Sequence, residues 1–273
     1  MKNVRWIKSI AMNTVNQQNL NPFSELGTND FFNLDEGKDA WSDAHASFLS
    51  SLSDTESQAL LKYTRRLDLN SRDYLFHAGD HSNDVFIVAS GCIRLFQVAP
   101  TGKETILWFS FPGEIFGIAE LWRGSNRKLN AVANDASQVY SIRSKDFTDF
   151  LGAYPEAAMK AIGILSARVR ALGHTLVGLA SDNVEMRIAR LLLRFAAVSS
   201  STSPCCSSSN KDELCVNVRL THQDIANLIG ASRQTVSSTL AHLRKIGAVR
   251  TVNQHIHIMQ PDHMRYLLEL NAA

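Results

Sequence analysis

The chain has 273 residues, 45% of them hydrophobic, and a formal net charge of +2. That length and apolar content suffice for one large core or two ordinary ones and exclude a mainly disordered chain. The small net charge excludes a polycation that coats nucleic acid indiscriminately, so any such affinity has to be local.

Charge is unevenly placed, with six Lys/Arg against three Asp/Glu in residues 216–273 and four against six in residues 1–45. Near the start, Lys2, Arg5 and Lys8 break up the apolar residues before a leader core forms. No run approaches the ~18 apolar residues of a membrane span. Of the four cysteines, Cys205, Cys206 and Cys215 crowd one Ser-rich stretch and Cys92 stands apart, a pattern that suits a reducing compartment. The expected location is the cytoplasm, with no membrane partner.

Residues 1–44 are rich in Asn, Gln, Asp and Ser without sustained periodicity and read as a poorly ordered N-terminal extension. A short helical pattern follows from Phe48 to Tyr63, with Ser53 or Asp54 as its cap before Glu56. From Asp73 the texture changes to short β-like runs: 74–76, 85–88, 93–98, 105–109, 131–133 and 139–142. Gly79, Gly91, Gly102 and Gly113 punctuate them at intervals of 11 or 12 residues, the rhythm of an antiparallel sandwich or small barrel. Spacing alone leaves open whether that barrel holds a ligand.

A helix is expected from Pro155 to about Ala180, with Ile162, Leu165, Val169, Leu172, Leu176 and Leu179 forming a seam of alternating three- and four-residue steps. So narrow a stripe suits a parallel coiled-coil contact with a second copy, the alternative being an amphipathic helix packed within one subunit. Asn183 starts the next helix, Glu185 to Val198, with Ile188, Leu191, Leu192 and Phe195 as its apolar stripe. Ser199 to Asn210 is a low-complexity connector. Its adjacent cysteines suit an exposed loop better than one tetrahedral metal, so no metal site is expected.

Thr221 to Val249 carries the strongest pattern, THQDIANLIGASRQTVSSTLAHLRKIGAV. Thr221 and Asp224 make a capping box for a helix with Ile225, Ala226, Leu228 and Ile229 on one side, and Gly230 stops it. Three residues later a second helix begins, with Val236, Leu240, Leu243 and Ile246 as its buried positions, so the pair crosses steeply as a helix-turn-helix. The opposite side of that helix presents Arg233, Gln234, Ser237, Ser238 and Ala241. Arg233 and Gln234 in its first turn have the chemistry to read guanine and adenine bidentately. Thr221, Gln223, Ser232, Thr235 and Ser237 are short polar groups suited to phosphates. The bland alternative is a solvated polar face. Residues 249–252 and 255–259 around Asn253 and Gln254 read as a β-hairpin wing, with His255 and His257 on one solvent face.

From about Phe48 to the C-terminus the sequence resembles the CRP/FNR family of bacterial transcription regulators. The resemblance rests on FHAGDHSNDVFIVASGCIRLF (76–96), FPGEIFGIAEL (111–121) and SRQTVSSTL (232–240). It implies an α+β chain with a double-stranded β-helix (jelly-roll) sensory barrel, a long dimerisation helix and a C-terminal winged helix-turn-helix. The corresponding ranges are a 1–44 extension, a cyclic-nucleotide-binding-like barrel at 45–152, a dimerisation helix at 153–182 and a DNA-binding domain at 183–273, with the Ser-rich loop at 199–214. The implied function is that of a homodimer on a palindromic promoter site in double-stranded DNA, acting on RNA polymerase and controlled by a signal sensed in the barrel. A constitutive DNA-binding dimer with a structural, ligand-free barrel is the alternative. An enzyme is not expected, since no nucleophile elbow, phosphate loop or metal-spaced His/Glu pair occurs.

The resemblance places an effector pocket at Gly113, Glu114, Gly117, Glu120, Arg127 and Lys128. Cyclic-AMP-binding members follow the glycine with Glu, where this chain has Ile118 after Gly117 and reaches Glu120 two residues late. They continue with Arg-Ser where it has Arg127 and Lys128, and bring Thr-Ser from the long helix where it has Leu172 and Gly173. Losing those polar contacts disfavours cyclic AMP, although Arg127 and Lys128 remain suited to another anion. An iron-sulfur cluster is excluded because the first cysteine is Cys92. Haem is not favoured, since His77 and His81 flank a turn that members share without haem, and His174 stands alone. The effector is therefore unassigned. Gln234 and Ser238 replace the family's common Glu and later Arg, which implies a DNA site unlike the usual cyclic-AMP-regulator half-site.

Overall fold

A computed structural model describes residues 37–121, 124–198, 213–216 and 218–269, in two compact units, one of residues 43–168 and one joining the stretch before Asp43 to everything from Val169 onward. The expectations for residues 1–36 and for Ser199 to Asn210, with Cys205 and Cys206, lie outside the described residues.

In the first unit two short helices, α2 (Phe48–Ser51) and α3 (Asp54–Leu61), precede eight strands: β1 (Thr64–Leu69), β2 (Tyr74–Phe76), β3 (Asp84–Ser90), β4 (Ile93–Val98), β5 (Glu104–Ser110), β6 (Ile115–Phe116), β7 (Asn130–Ala133) and β8 (Ser137–Arg143). They form two four-stranded antiparallel sheets, β1-β8-β3-β6 and β2-β7-β4-β5. Phe76 of one sheet stacks on Phe86 of the other at 5.6 Å, and Phe86 on Phe116 at 5.4 Å. On the other face of β3, Val85 and Ile87 join Phe48, Leu60, Ile142, Phe147 and Phe150 beneath α2, α3 and α4 (Ser144–Ala153). Both faces of β3 are covered, so its sequence DVFIVAS is a continuous apolar run instead of an alternating one. Ser53 caps α3 through a full capping box with Glu56. The four spaced glycines all adopt positive φ.

Three elements here were not expected from the sequence. Strand β1 reads TRRLDL and only half-buries Leu67 and Leu69, β6 has two residues, and α4 begins without a side-chain cap. At the chain's start the expected disorder of residues 1–44 gives way at its end to a helix, α1 (Gly37–Ala44). Trp41 is buried there, its ring edge-on to Phe195 at 6.0 Å. Burial of that ring and of Ala44 anchors a stretch whose composition otherwise looks loop-like.

The long helix α5 runs from Pro155 to Ser181 and is followed by α6 (Val184–Val198), which Asn183 starts by accepting the Met186 N–H at 3.0 Å. In the second unit α6 buries Met186, Ile188, Leu191, Leu192 and Phe195. Against it pack β9 (Leu214–Val216), α7 (His222–Ile229), α8 (Arg233–Lys245), the hairpin β10 (Val249–Val252) and β11 (His255–Ile258), and α9 (Pro261–Glu269). Asn253 and Gln254, both at positive φ, turn the hairpin tightly. Strand β11 lies between β10 and β9, which corrects the reading of its histidines. His257 is buried, its Nδ1 hydrogen-bonded to Glu213 at 2.5 Å and its Nε2 3.9 Å from Cys215 Sγ on the neighbouring strand. Among the described residues no helix is long and apolar enough to cross a membrane.

Candidate nucleic-acid interface and effector site

The nucleic-acid interface is built from local capping chemistry. Thr221 accepts the Asp224 N–H at 3.1 Å, and the Asp224 carboxylate accepts the Thr221 N–H and hydroxyl at 2.9 and 2.6 Å. Gly230 ends α7 at φ 65°, a conformation that nearly every other residue adopts only with strain. Ser232 then caps α8, accepting the Thr235 N–H at 3.0 Å. From α6, Arg187 donates to the Ile229 carbonyl at 2.7 Å and fixes the end of α7.

Val236, Leu240 and Leu243 are buried, and Arg233, Gln234 and Ser238 are exposed on the other side of α8. Arg233 and Gln234 make no side-chain hydrogen bond to any described residue, so both are available for base edges. Thr221, Gln223, Ser232 and Thr235 are also exposed. Ser237 is half-buried and paired with His222 Nδ1 at 2.7 Å, a tie between α7 and α8. Burial first, then Arg244 and Arg233, hold His222 below the ordinary imidazole range. Ile246, expected buried, is 40% exposed because it ends the helix as its C-cap.

The effector-site residues divide into two groups and an outlier. Gly113 sits at φ 87° directly beside Ser47, where a Cβ would fall 2.0 Å from the hydroxyl. Glu114 is completely buried and accepts from His45 Nδ1 at 2.7 Å, Trp108 Nε1 at 3.2 Å and Arg168 Nη2 at 3.1 Å. Arg168 also donates to the carbonyls of Ala44 and Ile115, at 3.2 and 2.7 Å. Burial pulls the Arg168 pKa down while Glu114 supports the cation. Glu114 is thus the centre of a buried network joining the segment before α2, the loop after β5 and helix α5.

In the second group Arg127 is buried above the Phe76 ring, 4.4 Å from its centroid, and donates to the carbonyls of Gly117, at 2.9 Å, and Asp84. Buried Glu120 lies 3.5 Å from it. Burial lowers the Arg127 pKa, with Glu120 opposing. Gly117, at φ 78°, keeps Cβ atoms out of this cluster. Lys128 is exposed on the surface. The buried network of His45, Trp108 and Arg168 had no local signal in the sequence, and neither did His222. Among the described residues no group of three or more His, Cys, Asp or Glu is placed to hold a metal ion.

Along α5 the seam is uncovered. Ile162 is 51% exposed, Val169 70%, Leu172 42%, Leu176 69% and Leu179 39%, while Leu165 is half-buried. The opposite side buries Ala157, Ala161, Ile164, Ala167 and Ala171.

Comparison with known proteins agrees with this geometry. A cyclic nucleotide-binding domain model matches residues 66–154 and a Crp-like helix-turn-helix domain model matches residues 186–267. The chain is 24% identical over 221 residues to a CRP-like cAMP-activated global transcriptional regulator of Mycobacterium tuberculosis, covering 81% of this chain and 96% of that one. It is 29% identical over 192 residues to the cyclic AMP receptor protein of Thermus thermophilus, covering 70% and 82%. Among solved structures, a CooA mutant from Carboxydothermus hydrogenoformans shares the fold with a TM-score of 0.66 at 21% identity, over 82% of this chain and 96% of that one. With a cyclic-nucleotide-binding sandwich, a long helix and a Crp-like helix-turn-helix in that order, the chain belongs to the CRP/FNR family of transcription regulators.

Proposed function

We propose that this chain is a cytoplasmic regulator that acts as a homodimer, joined along the α5 seam, and reads a roughly palindromic promoter site with two copies of α8. The observation that carries the proposal is the first turn of α8, where Arg233 and Gln234 are exposed and unengaged above a helix fixed by two capping motifs. Two such helices about one DNA turn (~34 Å) apart reach successive major grooves. Thr221, Gln223, Ser232 and Thr235 seat the helix on phosphates, and RNA polymerase is the downstream partner.

The signal enters at the barrel and is not cyclic AMP, although the two relatives above are named for that nucleotide. Ile118 supplies no acceptor after Gly117, and the Glu120 carboxylate lies against Arg127 inside the barrel. The rival reading, a constitutive dimer with a structural barrel, is favoured by the same Arg127, whose guanidinium is already engaged by Gly117, Asp84 and Glu120. Footprinting on the protein's own promoter, with and without nucleotides, cyclic dinucleotides and small metabolites, separates the two. A ligand-dependent footprint supports sensing and an unchanging one supports the rival. Selection from random duplexes that returned no preferred sequence would end both.

A further inference from the structure

Helices α5 and α6 form a hairpin turned at Asp182 and Asn183. Thr175 and Gly178 on α5 face Arg194 and Arg190 on α6, and His174 lies within the electrostatic reach of both. Arg190 Nε donates to Asp182 Oδ2 at 3.0 Å, and Gly178 leaves room for the pair, since a Cβ there would stand 3.0 Å from that oxygen. Arg194 has neutral partners: its Nη1 donates to the Thr175 hydroxyl at 3.1 Å, and its guanidinium lies 5.1 Å from the centroid of the Trp41 ring. No carboxylate among the described residues forms an ion pair with it. Arg170, one turn from His174, is exposed. Among the described residues Arg190 and Arg194 therefore share one nearby carboxylate, Asp182, which Arg190 already holds.

We propose that this hairpin is a binding site for a small phosphate-like oxyanion, free or as the terminal group of a metabolite, gripped by Arg190 and Arg194 with the His174 imidazole beside them; the Thr175 hydroxyl, which donates to the Ala171 carbonyl at 2.9 Å, only orients Arg194. Each guanidinium keeps most of its five N–H donors after the contacts above, in the planar fork that matches an oxyanion's edge. Arginines four residues apart on one helix repel each other, and a half-buried cation whose one nearby carboxylate is already paired with its neighbour is poorly compensated, so the arrangement favours an arriving anion. The titration behaviour agrees. Burial first and then Arg190 bring Arg194 down to about 10, and burial followed by Arg194, Arg190 and Arg170 lowers His174.

The test uses the full-length protein titrated with inorganic phosphate against chloride at constant ionic strength, followed by thermal melting and calorimetry. Wild type should show saturable binding and a melting temperature raised by about 5 °C at a hundredfold excess over Kd. Arg190→Gln and Arg194→Met should each weaken binding at least about tenfold, corresponding to loss of one charge-assisted contact, while Lys145→Gln binds as wild type does. Phosphate also stabilises proteins generically, but that effect does not saturate and ignores these substitutions. Without phosphate, Arg194→Met should melt no lower than wild type, because it removes an uncompensated cation. Should it instead fail to fold, Arg190→Gln and direct calorimetry still decide. Equal shifts in chloride, or binding undiminished in Arg190→Gln, would overturn the site. A shift produced by an unrelated DNA duplex and not by free phosphate would also overturn it, assigning these charges to the DNA backbone.

Discussion

Leu176→Asp tests the seam most directly, because Leu176 is 69% exposed and contributes little to its own subunit's core. Burying a whole leucine side chain is worth ~1.5–3 kcal/mol, so covering this fraction is worth ~1–2 kcal/mol per protomer. A two-fold interface doubles it to ~2–4 kcal/mol, a factor of roughly thirty to nearly a thousand in the dimer dissociation constant. Two carboxylates brought face to face in an apolar seam add their own desolvation, so a loss of at least about a hundredfold is expected. Sedimentation velocity over a concentration series should show wild type as a dimer where the variant is a monomer. The variant's melting, measured in the monomeric range, should not fall below that of wild-type monomer, which separates a lost interface from a lost fold. An unchanged sedimentation profile would refute both the seam and the coupling of the two recognition helices through it.

Replacing Arg233 by Ala should remove one bidentate base contact, ~1–3 kcal/mol, and relax sequence preference at one position per half-site while sedimentation stays dimeric; a variant that keeps full specificity in a competition gel shift assigns the reading elsewhere. Asp224→Ala deletes the acceptor for both the Thr221 N–H and hydroxyl, and urea unfolding should register a loss of ~1–2 kcal/mol, a change lost in the noise being the contrary result. In the wing, burial alone would raise the Glu213 carboxyl, but hydrogen bonds from Arg250 and His257 outweigh it and hold the group below the ordinary carboxylate range. A group lowered in the folded state stabilises above its unfolded pKa, about 4.3, and loses that contribution as pH falls through the folded value. The melting difference between wild type and Glu213→Gln should therefore be full at pH 6 and shrink below about pH 4; a difference constant from pH 6 to pH 3.5 contradicts the assignment.

The recognition unit was legible in the sequence because each determinant is local. The capping box spans Thr221 to Asp224, the stop is one glycine, and the apolar spacing of α8 lies within 13 residues. The long helix was legible for the same reason, its seam being a period that one helix can show. What stayed hidden depends on partners far along the chain. Glu114 is joined to His45 from 69 residues away and to Arg168 from 54. No periodicity marks a carboxylate for that role, and the family resemblance grouped it instead with effector residues. His257 was misjudged because alternation in HIHI implies one solvated face, whereas β9 and Glu213 close over that strand. The pairing of Ser237 with His222 was likewise hidden, because it depends on the crossing of α7 and α8.

These buried contacts share two short stretches of backbone. Glu114 and Gly117 flank the two-residue strand β6, so the Arg127–Glu120 cluster and the Arg168–Glu114 network are held by opposite ends of the same segment. Arg168 in turn precedes Val169 by one residue on α5, a rotation of about 100° about the helix axis. Arg168 makes three hydrogen bonds, to Ala44, Glu114 and Ile115, which together fix both the height and the rotation of that helical turn. A ligand that displaced Glu120 from Arg127 would have to move Gly117 or the residues after it, and β6 is too short to absorb the change before Glu114.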